Sequence, residues 1–209
     1  MGQTPNPRPE PLPLPVLGGD TSLRADAVRN AERILAAAER LFAERGVENV
    51  SMDDVAAEAH VGKGTLFRRF GDRAGLALAV LSESERQFQE QVIRGAPPLG
   101  PGAPARERLV AFGTALVEFH ERHGDLLRTA ERGAWANSPV FTFRRTHMEL
   151  LVREADPTTD AQYLADALLG LLTGNVFHYM RAEREMPLDR VIAGYAELVR
   201  RLLPERPPR

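Results

Sequence analysis

Apolar positions recur at helical spacing almost throughout residues 25–203. Ile34, Leu35, Ala38, Leu41 and Phe42 fall at i, i+1, i+4, i+7 and i+8, one stripe of an amphipathic helix predicted over 25–45 and closed by Gly46 as a left-handed cap. Ser51 then stands ahead of Met52-Asp53-Asp54, a hydroxyl N-cap with two carboxylates where the helix dipole is positive. A short helix is expected from there to about Ala59-His60. After Val61-Gly62 a second short helix runs from about Lys63 to Phe70, with Leu66 and Phe70 on its inner face. Gly71-Asp72 interrupts, and Asp72 can cap a third segment reaching about Arg94. Residues 95–104, rich in proline and glycine, read as a loop. Five further helices are predicted at 105–123, 125–136, 139–155, 159–184 and 187–203, punctuated by Gly124, Ser138-Pro139, Asp156-Pro157-Thr158 and Met186-Pro187. The fold class is all-α.

Two short helices joined by a four-residue turn and held by a longer helix make a helix-turn-helix. With Leu66 and Phe70 inside, helical geometry turns Lys63, Thr65, Arg68 and Arg69 outward, and Gly64 lets a partner approach the backbone. From His60 to Arg73 four cationic side chains oppose one carboxylate, a local charge of +3 in a chain whose formal charge is −2. The positive charge gathers where a phosphate backbone would lie. Lys63 is also the single lysine among 27 basic residues.

The stretch 29–81, and above all Val55-Ala56 through Val61-Gly62-Lys63-Gly64-Thr65-Leu66-Phe67 with Phe70 and Asp72-Arg73, closely resembles the DNA-binding domain of the tetracycline-repressor (TetR) family. The resemblance implies an all-helical homodimer with an N-terminal three-helix DNA-binding domain and a C-terminal helical bundle. That bundle would dimerise and bind a small-molecule effector that releases double-stranded operator DNA. Three positions depart from the pattern. His60 stands at a turn position usually held by glycine, and Gly62 replaces the usual serine, a weaker N-cap. Phe67 replaces the usual tyrosine and lacks its hydroxyl, so it is expected to pack against the domain or a sugar. The DNA contacts are accordingly assigned to Ser51, Gly62, Lys63, Gly64, Thr65, Phe67, Arg68, Arg69 and Arg73. Lys63, Thr65 and Arg73 meet phosphates, and either Arg68 or Arg69 donates to guanine O6 and N7.

Composition removes other readings. Cysteine is absent, which excludes disulfides, thiolate nucleophiles and cysteine metal sites. No cofactor is expected, and no apolar run is long enough for a membrane span. Gly62-Lys63-Gly64-Thr65 looks superficially like a phosphate loop but lacks the earlier glycine and a preceding strand. With no Gly-x-Ser-x-Gly or His-Glu-x-x-His either, the chain is not expected to be an enzyme. An interaction scaffold would keep the fold but leave Lys63, Arg68 and Arg69 without a task.

Residues 5–15 carry proline at every odd position, so 1–22 is expected to be an extended, unstructured arm. It lacks the basic start and apolar core of a signal peptide, which predicts a cytoplasmic protein. Residues 23–72 form the expected DNA-binding domain, 73–204 the ligand and dimer domain, and 205–209 a tail.

In the segment 159–184 apolar residues spread around most of the helix, so a second subunit is expected to cover it. Leu164, Leu168 and Leu171, with Tyr195, Leu198 and Leu202 of the last helix, would form a symmetric four-helix contact, with Gly170 and Gly174 permitting close approach. Phe112, Trp135, Phe143, His147, Asn175 and Tyr179 lie on the helices that would enclose the effector, an aromatic cavity with a few hydrogen-bonding groups. His120 and His123 stand at i and i+3, but Glu121 and Arg122 beside them predict an exposed helix end, and no metal site is expected.

Overall fold

The computed structural model describes residues 20–130 and 138–204, and within them every regular element is helical. The predicted tail 205–209, Trp135 and all but the last three residues of the predicted arm lie outside the described residues. The first helix, α1, is Asp20–Arg45, so residues 20–22 belong to it and not to the arm. At its end Gly46 has φ 78° and ψ 149°. The positive φ suits glycine, yet the extended ψ turns the chain into a single 3-10 turn, Val47–Asn49, where a left-handed cap was expected.

Three helices follow at the predicted places: α2, Met52–Glu58; α3, Lys63–Phe70; and α4, Arg73–Arg94. Ile34, Ala38 and Leu41 of α1 share one core with Val55 of α2, Leu66 of α3 and Leu76 and Val80 of α4. An isolated eight-residue helix is too short to persist in water. Burial of Leu66, which is fully enclosed, contributes about 1.5–3 kcal/mol toward holding it.

The rest of the chain is built on α5, Ala105–Ala130, which packs against α4, α6, α8 and α9. Gly124 was expected to end this helix. Instead α5 runs through it, because Leu126 and Leu127 beyond the glycine continue the buried face. The helix α6, Pro139–Ala155, starts on Ser138, whose hydroxyl accepts from the Phe141 N–H at 3.2 Å.

The predicted helix 159–184 is not one element. It divides into α7, Ala161–Leu171, then α8, Gly174–His178, then a π turn, Tyr179–Glu183. Asp160 caps α7 by accepting from the Tyr163 N–H at 3.1 Å. At the break the Thr173 hydroxyl donates to the Gly170 carbonyl at 3.0 Å, and Thr173 itself has the extended backbone of an N-cap. The last helix, α9, is Leu188–Leu202.

Tyr195 is not available to a second subunit. It is buried on Gly113 of α5, so close that a Cβ at Gly113 would lie 1.9 Å from the tyrosine Cε1. Leu168 is likewise buried within the chain, and Leu164 and Leu198 pack half-buried on the same core. Of the six residues expected at the dimer contact, Leu171 and Leu202 remain exposed.

Candidate nucleic-acid interface

The geometry of α3 is set by what precedes and follows it. At the start of α2 the Ser51 hydroxyl accepts from the Asp54 N–H at 3.1 Å, and the Asp54 carboxylate accepts from the Ser51 N–H at 2.9 Å. This is a reciprocal capping box, the kind of N-cap worth about 1 kcal/mol. The hydrogen bonds from Ser51 hold the Asp54 carboxyl below its usual range.

The exit of α2 is a paired C-terminal turn. The Val61 N–H donates to Ala56 O at 3.0 Å and the His60 N–H to Ala57 O at 3.2 Å, which places His60 at φ 54°. This is the left-handed region that the departure from glycine made expensive. Glycine then ends α3: Gly71 has φ 77°, and Asp72 caps α4 by accepting from the Gly75 N–H at 2.8 Å. The corner is tight, since a Cβ at Gly75 would stand 2.2 Å from the Phe70 carbonyl oxygen.

With its ends fixed, α3 buries Leu66, half-buries Thr65 and Phe70, and exposes Lys63, Gly64, Phe67, Arg68 and Arg69. Phe67 is 48% exposed, so it does not pack into its own domain. A Cβ at Gly62 or Gly64 would meet nothing among the described residues, leaving the backbone at the start of α3 open to approach.

The basic side chains differ in what already holds them. The Lys63 ammonium pairs with Asp53 of α2. Arg73 donates to the Glu48 carbonyl at 2.6 Å and pairs with its carboxylate. Arg69 donates to Ala27 O of α1 at 3.1 Å and lies over the Phe70 ring, 5.8 Å from its centroid. Arg68 makes no hydrogen bond or ion pair among the described residues. Asp53, Glu48 and Ala27 are partners the sequence reading did not find. None lies at a helical spacing from the residue it holds.

The predicted effector residues are only partly brought together. Phe112 and His147 meet with centroids 5.0 Å apart and ring planes inclined at 43°, and Phe143 lies parallel to His147 at 6.1 Å. Asn175 and Tyr179 are exposed on α8 and the π turn.

The centre of the bundle holds an acid and a base, Glu85 and Arg144, that the sequence alone did not single out. Glu85 of α4 and Arg144 of α6 form a buried ion pair. The guanidinium lies over Phe88 at 5.8 Å and Phe119 at 5.2 Å. Burial pushes the Glu85 carboxyl up despite that partner. His120 and His123 are buried, 3% and 2% exposed, where an exposed helix end was expected. Burial lowers His120 to about 3, with the Arg144 charge adding to it. Burial likewise lowers His123 and His147, each to about 4. These imidazoles are neutral at neutral pH.

An open groove of about 470 Å³ lies elsewhere, between Pro98 and Leu99 of the loop, Val110 and Ala115 of α5, and Arg200 of α9. None of the predicted effector residues among those described lines it. No described helix is long and apolar enough to cross a membrane.

A helix-turn-helix with an exposed cationic second helix, carried on an all-helical body, defines a class of DNA-binding regulator, and comparison with known proteins gives the same class. A family model described as "Bacterial regulatory proteins, tetR family" matches residues 34–80. The HTH-type transcriptional regulator SAR2658 of Staphylococcus aureus (strain MRSA252) is 46% identical over 172 residues, covering 80% of this chain and 90% of that one. SAB2452 of Staphylococcus aureus (strain bovine RF122 / ET3-1), also an HTH-type transcriptional regulator, is 42% identical over 69 residues, 33% of this chain and 37% of its own length.

Among solved structures, a TetR-family transcriptional regulator from Pectobacterium atrosepticum shares the fold with a TM-score of 0.66 and 25% identity, over 88% of this chain and 99% of that one. A regulator from Saccharomonospora viridis in complex with choline does so at 0.63 and 23%, over 86% and 100%. This chain belongs to the TetR family of transcriptional regulators.

Proposed function

We propose that the chain represses transcription as a homodimer that places two copies of α3 in successive major grooves of a palindromic operator and leaves it when a small molecule enters the C-terminal bundle. The observation that carries this reading is the outward face of α3, exposed and cationic on a chain that is slightly acidic as a whole. Arg68 is the base reader: a guanidinium without a partner among the described residues can donate a bidentate pair to guanine. Lys63 and Arg73 exchange Asp53 and Glu48 for phosphates. Surface ion pairs of this kind contribute about 0–1 kcal/mol, little enough to give up. Thr65 and the open backbone at Gly62 and Gly64 add phosphate contacts, and Phe67 lies on a sugar.

The dimer forms through α7 and α8. Tyr163, Leu171 and Val176 are exposed there, as is Tyr179 on the π turn that follows, and such exposed apolar side chains are a surface that a second copy covers. A Cβ at Gly170 or at Gly194 of α9 would meet nothing among the described residues, which leaves room for close helix approach. Two-fold symmetry then pairs the half-sites about one or more helical turns apart, each about 34–36 Å.

The effector acts through α4. That one helix of 22 residues begins at the Asp72 cap beside α3 and carries Glu85 and Phe88 into the centre of the bundle. A ligand wedged among α4, α5 and α6 tilts α4 and changes the separation of the recognition helices. Moving the equilibrium from 1:99 to 99:1 needs about 5.5 kcal/mol of differential affinity for the released state.

Selection of bound fragments from genomic DNA, followed by gel-shift titration of the recovered site, tests the reading. Recovery of an inverted repeat bound by a dimer is the expected result. A monomer in solution, or equal affinity for every duplex at low ionic strength, defeats it.

A further inference from the structure

His123 of α5 and Glu39 of α1 face each other where the helix-turn-helix meets the bundle, with His123 Nε2 3.6 Å from Glu39 Oε1. Neither is satisfied. His123 Nε2 is buried without a hydrogen bond, and the half-buried Glu39 makes none among the described residues. The gap lies just beyond the reach of an N–H···O bond, about 3.2 Å. An approach of about half an ångström would close it and answer a buried polar atom whose isolation weakens the fold.

There is room for that approach. A cleft of about 160 Å³ has Glu39, Phe42 and Val47 on the DNA-binding side and His123, Gly124 and Leu126 on the side of α5. A Cβ at Gly124 would meet nothing among the described residues. Glu39 also borders a crevice of about 70 Å³ against Val80 and Ser84 of α4. It therefore stands where α1 meets both α4 and α5.

The other charges around this contact are already engaged or turned elsewhere. Arg122 and Glu121 flank His123 on α5 itself, and Glu121 is taken by Arg181. His120, one turn back, lies near Arg144 of α6, which is paired with Glu85 of α4. Glu83 of α4, across the crevice, accepts from Arg86 and Gln87.

We propose that His123 and Glu39 form a latch between the bundle and the DNA-binding domain, open in the arrangement described and closed when α5 and α1 draw together, so that both are positioning residues for operator binding. The proposal rests on the regulator reading above and adds a route from α5 to α1 beside the tilt of α4. In the closed form Nε2–H donates to the carboxylate, and a proton on the imidazole strengthens that bond. Burial and the Arg122 charge hold His123 at about 4 in the open form. The closed form binds the proton more tightly, so closure and proton uptake are linked.

NMR titration of the imidazoles in the full chain, with the His123 signal assigned through His123→Gln, tests this. Glu39→Gln should lower the midpoint of the His123 titration by about half a pH unit or more. Glu32→Gln, which removes an exposed carboxylate two turns away on the same helix, should leave it in place. Saturation with the operator recovered by selection should move the wild-type midpoint by about half a pH unit or more, in either direction, and Glu39→Gln should remove most of that movement.

A His123 titration indifferent to Glu39→Gln overturns the proposal. So does one that operator saturation leaves in place while binding stays tight, because a merely structural contact would behave that way. A chain that prefers no duplex fails the regulator reading instead, and the comparison made without DNA still decides whether the two residues form the latch.

Discussion

The guanidinium of Arg69 donates to the carbonyl oxygen of Ala27, 3.1 Å away on α1, while the adjacent Arg68 is left without a partner among the described residues. Two neighbouring arginines on one helix are thereby given different work. Arg68→Ala should weaken operator binding by about 1–3 kcal/mol, with the loss confined to one base pair per half-site. Arg69→Ala should loosen α1 against α3 and weaken every sequence alike. Gel-shift titrations against single-base operator variants distinguish the two, and equal, sequence-independent losses would contradict the assignment.

His60 sits at φ 54°, a conformation glycine adopts without penalty. His60→Gly should therefore raise stability by up to about 1 kcal/mol, since the left-handed backbone costs other residues roughly 1–2 kcal/mol, partly offset by the greater freedom of an unfolded glycine. The urea midpoint reports it. A lower midpoint would mean that the imidazole makes a compensating interaction.

Gly113 is the seat of the Tyr195 ring, and a methyl there would stand 1.9 Å from it. Gly113→Ala should cost about 1–3 kcal/mol by overpacking, even though alanine is the better helix former. An unchanged melting temperature would show that α5 and α9 can slide apart freely.

Leu171, 42% exposed on α7, lies in the stripe assigned to the second subunit. Leu171→Glu should give a folded monomer, with unaltered far-ultraviolet circular dichroism and halved mass by sedimentation equilibrium. Persistence of the dimer would move the contact to another face.

Stability should fall with acid in a defined window. Burial, with the nearby charges of Arg144 and His123, lowers His120 from 6.5 to about 3; burial with Arg122 lowers His123, and burial with Arg108 lowers His147, each from 6.5 to about 4. Because the folded values lie below the unfolded one, the unfolded chain binds more protons in between. The contribution is fully present above pH 6.5 and is lost progressively as the pH falls toward 4. Urea midpoints should be flat from pH 8 to 7 and decline below 6.5, and His120→Phe should flatten the decline. A midpoint that does not move between pH 7 and 5 rules this out.

The N-terminal half was legible because its signals are local. Ser51, Gly71 and Asp72 act on backbone atoms within three or four residues, so the limits of α2, α3 and α4 follow from the chain itself. The same local logic failed at Gly124, where buried leucines beyond the glycine outweigh its weak helix preference, a cost of about 1 kcal/mol. It failed again at Thr173, whose hydroxyl satisfies a carbonyl and ends α7 inside an apolar run. Glu85 and Arg144 stand 59 residues apart, and nothing near either one marks the other. His120 and His123 read as exposed from their neighbours, yet α5 presents them to the core and Glu121 to Arg181 at 2.6 Å.

The Lys63–Asp53 and Arg73–Glu48 pairs bear on selectivity among polyanions. Two of the cations that would otherwise cling to any nucleic acid already have an acidic neighbour, so meeting a phosphate replaces one anion with another and displaces fewer mobile ions. Stray duplex gains little from that trade. A site that also satisfies Arg68 gains more, and its affinity should respond to ionic strength less steeply than a count of basic side chains on α3 and at the start of α4 suggests.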